Sequence, residues 1–315
     1  MIETQTIVAD DGFPLVVHHQ RVIAPRAIII VVHDLRDHAG RQVSWMRRLA
    51  KSGIAIFAFD MRGHGRTSSD IDRGMVEPRP VWDTLVSDIG RVRRHAVTES
   101  GVKPVFLIGQ GAGADLVHSV AQAQGRQYAG ILLIGPGHIG TFSWRLMRLL
   151  LTIEQWRQGP TAAVVWIDDW HARIYRRRER CRHLGQSGNL PSHPLAWRAI
   201  SAQPVKDYAA DPLCGGVLRL KTLAGVTDGA ARTRRCSRRL RLRPELPILI
   251  LAGRQDPAGN YGRLPKRLAR NLVNDGCRDV STRCYAGAGH DLLFEPVGND
   301  VIADMVDWIS RRVRI

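Results

Sequence analysis

The sequence contains no stretch of about 18 consecutive apolar residues, the length a membrane-spanning helix requires. The nearest candidate, Phe142 to Trp156, is broken by Arg145, Arg148 and Glu154, so it reads as amphipathic. Cysteine is scarce: five in 315 residues, at 181, 214, 236, 277 and 284, with no close metal-type pairing. The first residues, Met1-Ile-Glu-Thr-Gln-Thr-Ile-Val8, lack the basic start and apolar core of a signal peptide. Reduced thiols and a cytoplasmic location are therefore expected. The twelve histidines are scattered, and His18 and His19 are neighbours on a strand whose side chains alternate faces. No metal and no cofactor are expected.

Acidic residues are few: 29 against 46 Lys and Arg, for a net charge of +17. The imbalance is local. Residues 140–245 hold 20 basic and 8 acidic side chains, leaving +12 in a third of the chain. Two arginine runs dominate it, one from Arg173 to Arg182 and one from Arg232 to Arg243. Such a concentration suits phospholipid headgroups or an acidic substrate, and peripheral contact with an anionic membrane; a merely solvated face is the plainer reading. The runs have almost no aromatic residues between them on which bases would stack, so nucleic acid is not the expected partner.

Elsewhere, apolar runs alternate with helical patterns. Thr4–Val8 and Pro14–Val22 read as opening antiparallel strands. Ala27–Val32, Gly53–Phe59, Val105–Ile108, Ile131–Ile134, Ile248–Leu251 and Val280–Tyr285 read as core strands, several with the continuous Val/Ile/Leu composition of strands buried on both faces. Helices are expected near 41–51, 81–98, 112–124, 262–274 and 299–313. This alternation predicts an α/β fold with a mostly parallel, doubly wound sheet. It stops after Gly137 and resumes near Pro247. The predicted organisation is a core of residues 1–139 and 246–315, with 140–245 inserted as a basic, mainly helical cap.

In an open parallel sheet, sites gather at the carboxyl ends of strands. Four such ends carry suggestive residues: His33-Asp34-Leu35-Arg36-Asp37-His38; Asp60-Met-Arg62-Gly63-His64-Gly65-Arg-Thr67; Gly109-Gln-Gly111-Ala-Gly113; and the late pair Gly253-Arg-Gln-Asp256 and Gly287-Ala-Gly289-His290. The third has the strand–turn–helix setting of a Gly-x-Ser-x-Gly nucleophile elbow, with glycine at the centre. Gly109-x-Gly111-x-x-Ala114 also fits a dinucleotide fingerprint, but the next strand ends Leu133-Ile134-Gly135-Pro136 without the acid that would bind ribose.

Together these residues resemble the monoacylglycerol lipase and lysophospholipase branch of the α/β-hydrolases, also described as serine aminopeptidase S33-like. Asp60-x-Arg-Gly-His-Gly-x-Thr, the order elbow–acid–histidine, and Trp197 with Asp211-Pro-Leu-Cys214-Gly carry the resemblance, which spans nearly the whole chain. It implies an α/β-hydrolase fold with a cap, and hydrolysis of carboxylic esters of lipids. It assigns Asp256 as the triad acid, His290 as the base, and the N–H groups of Leu35 and Ala112 as the oxyanion hole.

Two positions depart from the pattern. Gly111 stands at the nucleophile, so no acyl-enzyme forms there. Asp34 stands where the family has glycine, and its carboxylate is expected to oppose an oxyanion and crowd the loop. Asp115, Ser119 and Cys284 are poor substitutes for a nucleophile; a water activated by His290 and Asp256 remains open. His64 and His33 read as loop-holding hydrogen-bonders. In the cap, Trp144, Leu149 and Trp156, with neighbouring apolar residues, are candidates to line an acyl-chain pocket or to pack the lid. The expected ligand is a lipid ester or a lysophospholipid-like molecule. Two functions follow: a lipase-like hydrolase with an incomplete triad and weak or lost activity, or a non-catalytic lipid-binding or regulatory protein on the same fold.

Overall fold

The computed structural model describes residues 2–77, 80–137, 144–164, 173, 195–236 and 242–313. Eight strands form one sheet: β1 (Ile2–Val8), β2 (Pro14–Gln20), β3 (Ala27–Val32), β4 (Ile54–Phe59), β5 (Val105–Gln110), β6 (Gly130–Ile134), β7 (Ile248–Gly253) and β8 (Val280–Tyr285). Their order is β1-β2-β4-β3-β5-β6-β7-β8. The pairings β1–β2 and β2–β4 are antiparallel and the rest are parallel.

The continuous apolar runs are explained by helices on both faces. In β3, Ile28, Ile30 and Val32 point to one core with Leu85, Ile89 and Val92 of α2 (Val81–Ser100) and Leu116, Val117 and Val120 of α3 (Ala112–Gln124). Ala27, Ile29 and Val31 point to the other, where Trp45, Met46 and Leu49 of α1 (Ala39–Ala50) meet the C-terminal helix, Gly298–Ser310. β4 and β5 divide their side chains in the same way. This is the doubly wound α/β arrangement expected. One strand differs in character from expectation. β8 is an edge strand, only partly buried, because it pairs on one side alone and carries Ser281, Thr282 and Arg283.

Between β6 and β7 the described chain is helical: α4 (Trp144–Gln158), α5 (Ala202–Ala210) and α6 (Leu220–Cys236). α7 (Arg263–Asn274) and α8 (Gly298–Ser310) follow in the core. Leu151 of α4 packs against Leu220, Leu223 and Ala224 of α6. The cap is fastened to the core by buried polar contacts as well as apolar ones. Val76 N–H donates to the buried hydroxyl of Thr222 on α6 at 2.9 Å. Thr222→Val keeps the shape but leaves that amide without its acceptor. A loss of about 1–3 kcal/mol is expected in urea unfolding; an unchanged midpoint would show that this bond does not fasten the cap.

The cap's positive charge is partly spent inside the molecule. Arg234 pairs with the largely buried Asp115 at 2.9 Å. Arg219 donates to the carbonyls of Thr161 and Ile71. Arg148 pairs with Asp228, and Lys221 with Glu77. The first arginine run, apart from position 173, and the residues 237–241 of the second lie outside the described residues.

Candidate active site

The register of the sheet brings the site together. β3 pairs with β5 so that Val32 lies opposite Gly109. The loop after β3, with Asp34, therefore abuts the turn after β5, with Gly111. Gly111 caps α3 with φ 52° and ψ −116°, a conformation that L side chains rarely adopt. Its N–H donates to Ile134 O at 3.0 Å. Gly113 lets the first turn of α3 close on β3: a Cβ there would lie 2.4 Å from Val32 O.

His33 and Asp60 set the neighbouring loops. Met61 N–H donates to His33 Nε2 at 3.0 Å, so the protonated Nδ1 faces Asp34 O at 2.6 Å. Burial, reinforced by nearby His64, pushes the His33 pKa down to about 3. The fully buried Asp60 carboxylate accepts from Ala39 N–H and Arg66 N–H. Arg62 bridges Asp88 and Asp11. The Asp-x-Arg-Gly-His-Gly segment thus shapes the strand end.

Asp256, after β7, accepts from Ala258 N–H at 2.8 Å through Oδ1. Its Oδ2 lies 3.0 Å from Nδ1 of His290, which follows β8. The other ring nitrogen, Nε2, faces Asp34 Oδ2 at 3.4 Å. The imidazole is therefore held between two carboxylates. Burial alone would lower its pKa; the charge and hydrogen bond of Asp256, joined by those of Asp34, reverse this and raise it to about 10. His290 is an imidazolium at neutral pH.

Asp34 does more than crowd the loop. Its Oδ1 accepts from both Leu35 N–H and Ala112 N–H, each at 2.8 Å. These are the two amides assigned to the oxyanion hole, and the protein's own carboxylate occupies them. The N-terminal end of α3 adds its partial positive charge. Burial would raise the Asp34 pKa, but the hydrogen bond and charge of His290, then Arg198 and the Ala112 amide, hold it below the usual carboxylate range. A Cβ on Gly111 would lie 2.2 Å from Asp34 Oδ1. The two departures in the sequence are therefore one spatial unit: the carboxylate fills the room that a side chain at 111 would need.

Sequence reasoning missed Arg198. It is buried, binds Asp291 through two nitrogens at 3.0 and 2.9 Å, and stands 3.9 Å from Asp34 Oδ2. Arg41 joins Asp291 to Asp37. Glu295 holds this segment over the site by accepting from Gly289, Ile200 and Ser201 N–H groups. Trp197 leans over His290, with ring centroids 5.2 Å apart. The adjacent Trp197-Arg198 pair was the only available signal, through its tryptophan.

The cap residues proposed for an acyl pocket are less gathered. Leu149 and Trp156 are 56% and 87% exposed. Trp144 opens α4, and its side chain lies outside the described residues, as does Phe142. Among the described residues, one cluster has metal-ligand types: His38, Asp211 and Cys214. His38 Nε2 already pairs with Asp211 at 2.9 Å. Burial, then Asp37 and Asp211, raise the Cys214 pKa and keep it a thiol.

The family model for "Serine aminopeptidase, S33" matches residues 23–297. The chain belongs to the S33 family. Similar proteins include a monoglyceride lipase of Homo sapiens, 30% identical over 297 residues, spanning 91% of this chain and 84% of that one. A monoacylglycerol lipase of Mycolicibacterium smegmatis is 23% identical over 289 residues, spanning 90% and 88%. Among solved structures, a thermostable carboxyl esterase from Bacillus coagulans superposes with a TM-score of 0.86 at 20% identity, covering 99% of both chains. Membership of the S33 family and the lipase and esterase resemblance agree with the α/β-hydrolase fold.

Proposed function

We propose that this protein retains the lipid-ester substrate class of its S33 relatives but cannot hydrolyse esters through a covalent acyl-enzyme. The observation that supports this reading is the Asp34 carboxylate on the Leu35 and Ala112 amides, beside a nucleophile position occupied by Gly111. Acyl transfer needs an attacking atom, a neutral base and an empty oxyanion hole. Here the first is missing, the second is protonated and the third is filled. Loss of such a nucleophile alone costs about 10⁶ in turnover. The missing attacking atom also favours a second reading, a lipid-binding protein, which needs no nucleophile.

The test uses a fluorophosphonate probe and short nitrophenyl esters on the full chain, Gly111→Ser, and Gly111→Ser with Asp34→Gly. No labelling is expected in the full chain, which has no serine at 111, or in Gly111→Ser, whose side chain collides with Asp34. Labelling is expected in the double variant. Strong labelling of the unaltered chain would overturn the reading. A folded double variant that stays unlabelled would remove Asp256 and His290 from the role of a usable acid–base pair.

A further inference from the structure

A cluster of cations that the candidate active site does not use lies on α7. Arg263, Lys266, Arg267 and Arg270 are all exposed. They stand at i, i+3, i+4 and i+7, the spacing of one helix face. At 1.5 Å of rise per residue they span about 10 Å. No acidic residue occurs from 257 to 274, so nothing along the helix offsets them. Among the described residues, none of the four side chains has an ion pair or hydrogen bond. Arg62, Arg198 and Arg234, by contrast, each lie on a carboxylate. Like charges at these spacings weaken a helix, and a bound anion would relieve them.

The same four residues line a cavity of about 660 Å³ between α7 and β8, together with Asn260 and Thr282. The volume is that of a small-molecule site. Leu264 and Ala269 complete the lining, and no carboxylate enters it. Neither Asp34 nor His290 takes part.

We propose that this cavity binds a small anion carrying several linked phosphate groups. Charge decides the class: four uncompensated cations along one helix face match a chain of phosphates, whereas a single carboxylate would leave most of them unpaired. The guanidinium forks of Arg263, Arg267 and Arg270 can each take two phosphate oxygens. The Thr282 hydroxyl and the Asn260 amide add neutral donors. Shape decides the source. A recessed site admits a discrete molecule, whereas a bilayer surface is met by raised side chains. No aromatic ring lines the cavity for a base to stack on, so the phosphates themselves are what is recognised. The inference is independent of the ester chemistry proposed above, and failure of either leaves the other standing.

The experiment titrates the full chain with sodium tripolyphosphate by calorimetry, at a salt concentration of about 0.15 M so that diffuse attraction is screened. Saturable binding is expected. Arg263→Gln with Arg267→Gln should weaken it by about tenfold or more, the scale of lost hydrogen bonds to a charged group. Arg47→Gln with Arg157→Gln removes the same charge from exposed positions elsewhere and should leave the affinity unchanged. Thr282→Val changes no charge and should still weaken binding by about threefold. Without ligand, the Arg263 and Arg267 double variant should melt no lower than the parent chain, which shows that it folds and that the cations serve binding. Equal weakening in the two double variants would mean diffuse attraction to a basic protein and would overturn the proposal. So would the absence of saturable binding, or an affinity untouched by Thr282→Val. Vesicles of phosphatidylcholine with phosphatidylserine, and poly-glutamate, are run alongside. Binding of either that depends on Arg263 and Arg267, with none of tripolyphosphate, would replace the proposal with a lipid surface or an acidic peptide.

Discussion

Gly111→Ser is expected to destabilise the protein by about 4 kcal/mol or more in urea unfolding. Two costs combine. A side chain at the positive φ of this position carries about 1–3 kcal/mol of backbone strain. The larger part comes from displacement: its Cβ falls 2.2 Å from Asp34 Oδ1 and 2.3 Å from Asp34 Cγ. The carboxylate must leave two amide donors, and hydrogen bonds to a charged group are worth about 1.5–3 kcal/mol each. Gly111→Ala should cost nearly as much, because the Cβ causes the collision. Asp34→Gly removes the obstacle, so the double variant should be more stable than the two single changes predict by about 1–3 kcal/mol, the usual range for residues in contact. Strictly additive losses would show that positions 34 and 111 do not share the space the structure assigns to them.

That coupling marks how far the sequence can be read alone. The strands were legible because Ala27–Val32, Ile54–Phe59 and Val105–Gln110 carry apolar side chains on both faces, as only strands covered on both sides do. Glycine at 111 was legible as a missing atom, and aspartate at 34 as an extra charge in a loop. Their contact was not, because it depends on the Val32–Gly109 register, which sets two loops 77 positions apart side by side. The direction of the effect was hidden for the same reason. A carboxylate near an oxyanion hole opposes a substrate's charge, but one lying on both amides takes the oxyanion's place. Arg198 was less legible still: it comes from the cap and gains its role from Asp291 beneath it. The exposed apolar residues of α4 show the converse limit, since helical spacing identifies an apolar face without saying what covers it.

The His290 arrangement should appear as an alkaline limb in stability. Its pKa stands near 10 in the folded chain against an ordinary 6.5, because Asp256 and Asp34 favour the charged ring. A raised pKa stabilises the fold fully below about pH 6.5, and the contribution disappears as pH rises through 10. At about 1.4 kcal/mol per unit, the loss is on the order of 5 kcal/mol. The carboxylates act in the opposite sense. Asp34 and Asp291 are both depressed, Asp291 chiefly because Arg198 and Arg41 outweigh its burial, so their contribution holds above about pH 4 and fades on acidification. Unfolding free energy should therefore plateau between about pH 4 and 6.5 and fall toward pH 10. His290→Gln keeps a hydrogen-bonding side chain without the titration and should flatten the alkaline limb, although it starts from a lower plateau. An unaltered limb in that variant would place the lost proton elsewhere. It would also remove the imidazolium that closes acyl chemistry at neutral pH.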